Sequence, residues 1–214
     1  MNSSKALEMI NNGRIEDLKK ALQDEIYTET LKKKPDAKKR YSAMKKYFTL
    51  VENPREICKK PCAIEFNGEP YNSFTNSYSL ALTTESCGEI EMFDTNNGTY
   101  PDISRLVDLT GSEDTIDISK VIAEAKSLGY KLKKSELFGN KYLMYYNGAY
   151  FRIALIDSTF GIIDDGEPAS VYHGGGRRGK LIIKNDIGIA VVMPVFMEDG
   201  PDEDAIVIEV GQDA

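Results

Sequence analysis

The chain has 214 residues, 41% of them apolar and 29% charged, which is enough to bury a core without staples and far from the composition of a disordered segment. Its net charge is −7, and it has three cysteines and a single histidine; an odd thiol count argues against a disulfide framework, and a four-ligand zinc site would need Cys58, Cys62, Cys87 and His173 together. No window approaches the roughly 18 apolar residues of a membrane span, and Lys5 and Glu8 stand where a signal peptide holds its apolar run, so a soluble, cytoplasmic protein with reduced thiols, no metal, no cofactor and no membrane partner is expected.

The charge is unevenly spread. Residues 1–60 hold 15 Lys and Arg against 9 Asp and Glu, whereas residues 61–214 hold 12 against 25. A basic N-terminal part ahead of an acidic body reads either as a surface for an anionic partner or as solvated helix faces.

Residues 4–48 are lysine-rich and helix-favouring, with Leu7, Ile10, Ile15, Leu18, Leu22 and Ile26 mostly three or four apart, which predicts one or two amphipathic helices. Pro35 interrupts them, Asp36 is positioned to cap a second run containing Tyr41, Met44, Tyr47, Phe48 and Val51, and Asn53-Pro54 ends it. A helical, lysine-rich region over residues 1–55 followed by a β-rich body over 56–214 is the expected division.

Beyond Pro61 the period changes to that of strands. Residues 62–66 form one, Asn67-Gly68 a turn, and residues 74–84 another; Glu89-Ile90-Glu91-Met92-Phe93 alternates like a strand and stops at the turn-forming Asp94-Thr95-Asn96-Asn97-Gly98. Residues 115–118 read as a short strand, after which Ser119 caps a helix with Val121, Ile122, Ala125 and Leu128 on one face and Gly129 at its end. Residues 141–146 and 149–151 flank Asn147-Gly148, the strongest short hairpin signal. Residues 152–163 fit either a continued strand or a short helix burying Leu155, Ile156 and Phe160. Residues 169–172, 180–184 and 187–195 read as closing strands. The tail beyond Met197 has seven acids and no base, with residues 205–208 available as an edge strand.

Catalytic signatures are absent. Gly174 to Lys180 satisfies the GxxxxGK spacing of a phosphate-binding loop, but Leu181 stands where Ser or Thr must hold magnesium, and a β-like run follows instead of a helix. A nucleophilic triad needs a histidine, and His173 lies beside three glycines in an expected loop. Asp164-Asp165 sits in a turn-like context, and the tyrosines alternate as half-buried sheet residues do. No enzymatic activity is expected.

Five separated stretches carry a family resemblance: Asn76-Ser77-Tyr78-Ser79-Leu80-Ala81, then Tyr100-Pro101-Asp102-Ile103, then residues 151–160, 180–183 and 187–195, the last of which ends in Met193-Pro194-Val195. Together they resemble the bacterial DNA polymerase III beta subunit, the sliding clamp, mainly its C-terminal part. In the first stretch the Asp, Gly and Arg of the clamp's corresponding strand are missing. The resemblance covers about residues 60–197 and implies an α+β, clamp-like fold of antiparallel sheets with helices packed on one face and turned toward duplex DNA. The chain is too short for a three-domain clamp, which implies either one clamp-like domain with part of another or an abbreviated relative of phage or mobile-element type, a non-catalytic replication accessory with duplex DNA, replication proteins and further copies of itself as partners. The basic residues then available for sequence-independent contacts are Lys120, Lys126, Lys131, Lys133, Lys134 and Arg152, with Arg177, Arg178 and Lys180 in the glycine hairpin. The alternative is a protein-binding adaptor or inhibitor that uses the acidic body and the basic helical arm.

Overall fold

The structure, a computed structural model, describes residues 3–15, 17–19, 22, 35–50, 55, 58–103, 105–110, 112–174 and 178–211. Helix α1 spans Ser3–Asn11 and α2 spans Pro35–Tyr47. Pro35 occupies the first helical position, where its missing N–H costs nothing, so Asp36 falls inside the first turn and does not cap it; Lys45 and Lys46 complement the dipole at the other end. The buried residues of α2, Ala37, Arg40, Met44 and Tyr47, recur at intervals of three and four, and Met44 and Tyr47 sit in the main core. The expected stop at Asn53-Pro54 and the apolar Val51 and Ile26 lie outside the described residues.

The body is mixed α and β. Strands β1 (Cys62–Phe66), β2 (Glu69–Thr75), β3 (Ser79–Thr83), β4 (Ser112–Ile116), β7 (Ala169–His173), β8 (Leu181–Lys184) and β9 (Gly188–Val192) form a seven-stranded, wholly antiparallel sheet in the order β1-β2-β3-β9-β8-β7-β4. A second sheet has the order β10-β5-β6, from β5 (Tyr142–Tyr146), β6 (Ala149–Arg152) and β10 (Ile206–Glu209), the last running parallel to β5 at an edge. Helix α3 spans Ile118–Ser127 and α4 spans Ile153–Phe160, which resolves the ambiguous residues 152–163 in favour of a helix. Asn67 and Asn147 both take positive φ ahead of glycines at +80° and +86°, the geometry two-residue hairpin loops require.

Alternation along the central strands splits the core in two. Ala81, Val171, Leu181, Ile183, Ala190 and Val192 face α2, α3 and α4 on one side; Leu80, Leu82, Ile182, Ile189 and Val191 face Ile103 and Val107 on the other. Helix α4 is buried almost all round, against the sheet below and between α2 and α3, and Asp157 alone of its residues is partly exposed.

Four local expectations change. Residues 74–84 are not one strand, because the Asn76 side chain accepts from the backbone N–H of Tyr78 (3.0 Å) and Ser79 (2.8 Å), turning the chain with Ser77 at φ +74°. Residues 89–93 are irregular; Phe93 N–H donates to Pro61 O (2.7 Å), but no ladder forms, so the alternation reflects half-burial alone. Asp117, not Ser119, caps α3, accepting from Lys120 N–H at 3.0 Å. His173 ends strand β7 and is 2% exposed, where a loop was expected.

Candidate functional site

On the sheet face away from the helices, a groove of about 240 Å³ opens where the ends of β3 and β9 meet the 76–78 turn and the segment around Pro101 and Leu106. Leu80, Leu106, Val191, Met193 and Pro101 give it an apolar floor, while Arg55, Cys58, Thr75, Ser77 and Ser79 supply polar edges. The Asn76 turn projects Tyr78 over one wall. Tyr78 is 45% exposed and meets the ring of Phe138, itself 43% exposed, edge-on at 5.0 Å; Met193 is 36% exposed. Large apolar side chains gathered at the mouth of a groove mark a surface built for contact.

Behind the groove lies a chain of hydroxyls. Tyr47 Oη of α2 donates to Ser79 O (3.1 Å), Thr159 Oγ1 of α4 donates to Ser79 Oγ (2.7 Å), and Ser79 Oγ donates to Asn76 Oδ1 (3.2 Å). Burial raises the Tyr47 phenol well above its ordinary value. These groups fix the turn, and the helices are bonded through it to the wall of the groove.

The sequence-derived basic residues do not form one cluster. Lys120 pairs with Asp117 (3.2 Å) and Lys126 with Asp157 (3.6 Å), both on the helical face. Lys131, Lys133 and Lys134 are exposed just after α3, whose end is shaped by Gly129 at φ +98° and the Tyr130 N–H bond to Ala125 O. Arg152 is half-buried, with Nε donating to Asn140 Oδ1 (3.1 Å). Arg177 lies outside the described residues, Arg178 is exposed in the turn, and Lys180 Nζ is held by Arg105 O (2.8 Å), on the side of the sheet opposite the helices.

Sequence reading missed the solvent face of α2. A second groove, about 470 Å³, runs between α2 and the end of α4, lined by Lys38, Lys39 and Lys46 with Leu132, Asp157 and Ser158. Lys39 pairs with Asp164 at 2.5 Å, and Lys45 lies over the Tyr41 ring at 4.5 Å. The signal was present as Lys38-Lys39 and Lys45-Lys46, seven residues apart and so on one helix face.

Among the described residues, no three His, Cys, Asp or Glu side chains gather as a metal site. Burial pushes the Cys87 thiol up to about 12, and burial lowers His173, whose Nε2–H donates to Gly179 O at 3.0 Å. Neither group opens into the groove. Neither a protein-family model nor a curated protein matches the chain.

Proposed function

We propose that this chain is a non-catalytic, sliding-clamp-like replication accessory of phage or mobile-element type, which docks an extended segment of a replication protein in the Tyr78–Met193 groove and associates with duplex DNA through its helical layer. One observation carries the reading. Of the five segments that resemble the clamp, three meet at one groove, with Ser77, Tyr78, Ser79 and Leu80 from residues 76–81, Pro101 from residues 100–103, and Val191 and Met193 from residues 187–195, while residues 151–160 form α4 in the layer on the other face of the sheet. The main sheet is antiparallel with helices on one face, as the resemblance implies, whereas the second sheet departs from it where β10 runs parallel to β5; a ring around DNA would require several copies of this chain.

The occupant follows from the chemistry: one or two large apolar side chains on an extended backbone, with polar groups at the edge for Arg55, Ser77 and Thr75. The probe is a set of labelled peptides tiling the polymerase of the same replicon, read by fluorescence anisotropy. Micromolar binding is expected, weakened at least about tenfold by Tyr78→Ala and by Met193→Lys, with unfolding midpoints unchanged. Absence of binding by every peptide, or indifference to both substitutions, overturns the reading.

A second reading, an adaptor or inhibitor without DNA, is favoured by the 25 acids against 12 bases of residues 61–214. It uses the same groove and differs in predicting no duplex DNA binding at low salt.

A further inference from the structure

The two helices that the resemblance turns toward DNA are poorly placed to touch it. Helix α4 is covered, and the two α3 lysines that project from it, Lys120 and Lys126, are each paired with a carboxylate. What lies outermost over α4 is α2, an element outside the resemblance altogether.

At 100° per residue, the buried positions of α2 (37, 40, 44 and 47) occupy one side, and Lys38, Lys39, Lys45 and Lys46 fall on the diametrically opposite one, around Ser42. The four ammonium groups therefore project away from the core along a single stripe. Buried Arg40 fixes the rotation of the helix: Nη2 donates to Glu85 Oε1 (2.6 Å) and Nη1 to Asp164 O (3.0 Å), and Tyr47 locks the end through Ser79. Lys39 and Lys45 have partners, whereas among the described residues the ammonium groups of Lys38 and Lys46 have neither a hydrogen bond nor an ion pair, although both side chains border the α2–α4 groove.

We infer that α2 is the DNA-contacting element of this protein, with Lys38 and Lys46 as its principal phosphate ligands and Lys39 and Lys45 flanking them. The inference rests on the DNA-association reading above. Polyanion chemistry follows from a stripe of four cations on a chain whose net charge is −7. The apolar side chains beside the stripe, Ala43 and Leu50, are half-buried in the groove, and the one ring beside it on α2, Tyr41, is half-buried under Lys45 (4.5 Å), which favours duplex phosphates over a membrane surface or a single strand. The lysine pairs are separated by about 10 Å of helix, a span over which duplex DNA presents about six negative charges.

The experiment is a salt titration of affinity for a labelled random-sequence duplex, using the whole chain, Lys38→Gln/Lys46→Gln, and a charge-matched control, Arg105→Gln/Lys141→Gln, on exposed residues outside α2. The α2 variant should lose about 1.8 from the slope of log affinity against log salt, about 0.9 per contact, while the control keeps the wild-type slope. Asp157→Asn, which removes the carboxylate from the groove, should tighten binding. Circular dichroism and the unfolding midpoint confirm that each variant is folded. Equal loss in both double variants would mean bulk charge and no site, and would overturn the inference. An unchanged slope in the α2 variant would overturn it alone and leave DNA association standing. No wild-type binding at low salt would overturn both, while peptide docking in the other groove would stand or fall separately.

Discussion

Arg40 shows how one residue decides the setting of a helix. Its guanidinium is buried, its partner Glu85 belongs to the end of the main sheet, and its second contact, Asp164 O, belongs to the turn after α4. Removing one member of a buried ion pair leaves the other uncompensated, so Arg40→Ala should cost about 3 kcal/mol, while Arg40→Met, which restores apolar volume, should cost less. Urea unfolding midpoints at unchanged m-value are the measurement; equal midpoints for Arg40→Ala and wild type would show that α2 is held by Met44 and Tyr47 alone. His173 gives the molecule a pH dependence. Packed near the rings of Tyr146 (5.7 Å) and Phe151 (5.8 Å), it is more readily charged in the unfolded chain, whose ordinary value is 6.5, than in the fold, where burial lowers it. The unfolded state therefore binds the extra proton first, and stability present above pH 6.5 is lost as pH falls from there to the depressed native value. Substituting His173 with Gln should flatten that part of the stability profile, whatever it does to stability at pH 8; an unaltered profile would assign the acid sensitivity to carboxylates.

At the scale of elements, α3 and most strands were legible because their signals are local, whereas most of β2 (Glu69–Thr75) was not read and the strand expected over residues 115–118 ends at Ile116, with Ile118 already in α3. Asn67-Gly68 and Asn147-Gly148 force hairpins whatever surrounds them, and Gly129 ends α3 by taking a conformation that other residues avoid. Residues 89–93 misled for a physical reason: alternation measures which side of a segment is buried, and a segment crossing a sheet edge alternates as a paired strand does. Helix α4 was ambiguous because it is buried nearly all round, so its sequence lacks the polar face that marks a helical period. Neither groove was readable, since each is assembled from elements distant in the chain; the lysine pairs of α2 were visible, but their direction depends on Arg40 meeting Glu85 across 45 residues. The Asn76 turn is a further case, local in its bonding yet hidden in an apolar run. Asn76→Ala should remove the acceptor for two backbone N–H groups, displace Tyr78 and weaken peptide docking more than it lowers stability, which anisotropy and thermal unfolding compare directly.

For the molecule as a whole, the sheet is a wall with a core on each side, the helical layer against one and the 100–109 segment against the other. The docking groove and the α2 stripe are thus on opposite faces, and a bound peptide should leave the DNA titration of the same sample unchanged within a factor of about two. A competitive pattern would mean that the two ligands share a face.

The central pairing of that wall joins Ser79 to Val192, Leu80 to Val191 and Ala81 to Ala190. During synthesis, β3 therefore emerges more than a hundred residues before its inner neighbour exists; at 5–20 residues per second it waits roughly 5 to 20 seconds. Throughout that interval an apolar strand, every residue of which is buried in the finished protein, has one open edge. Because β9 lies between β3 and β8, the last strand of the main sheet to be made is the one that joins its two halves.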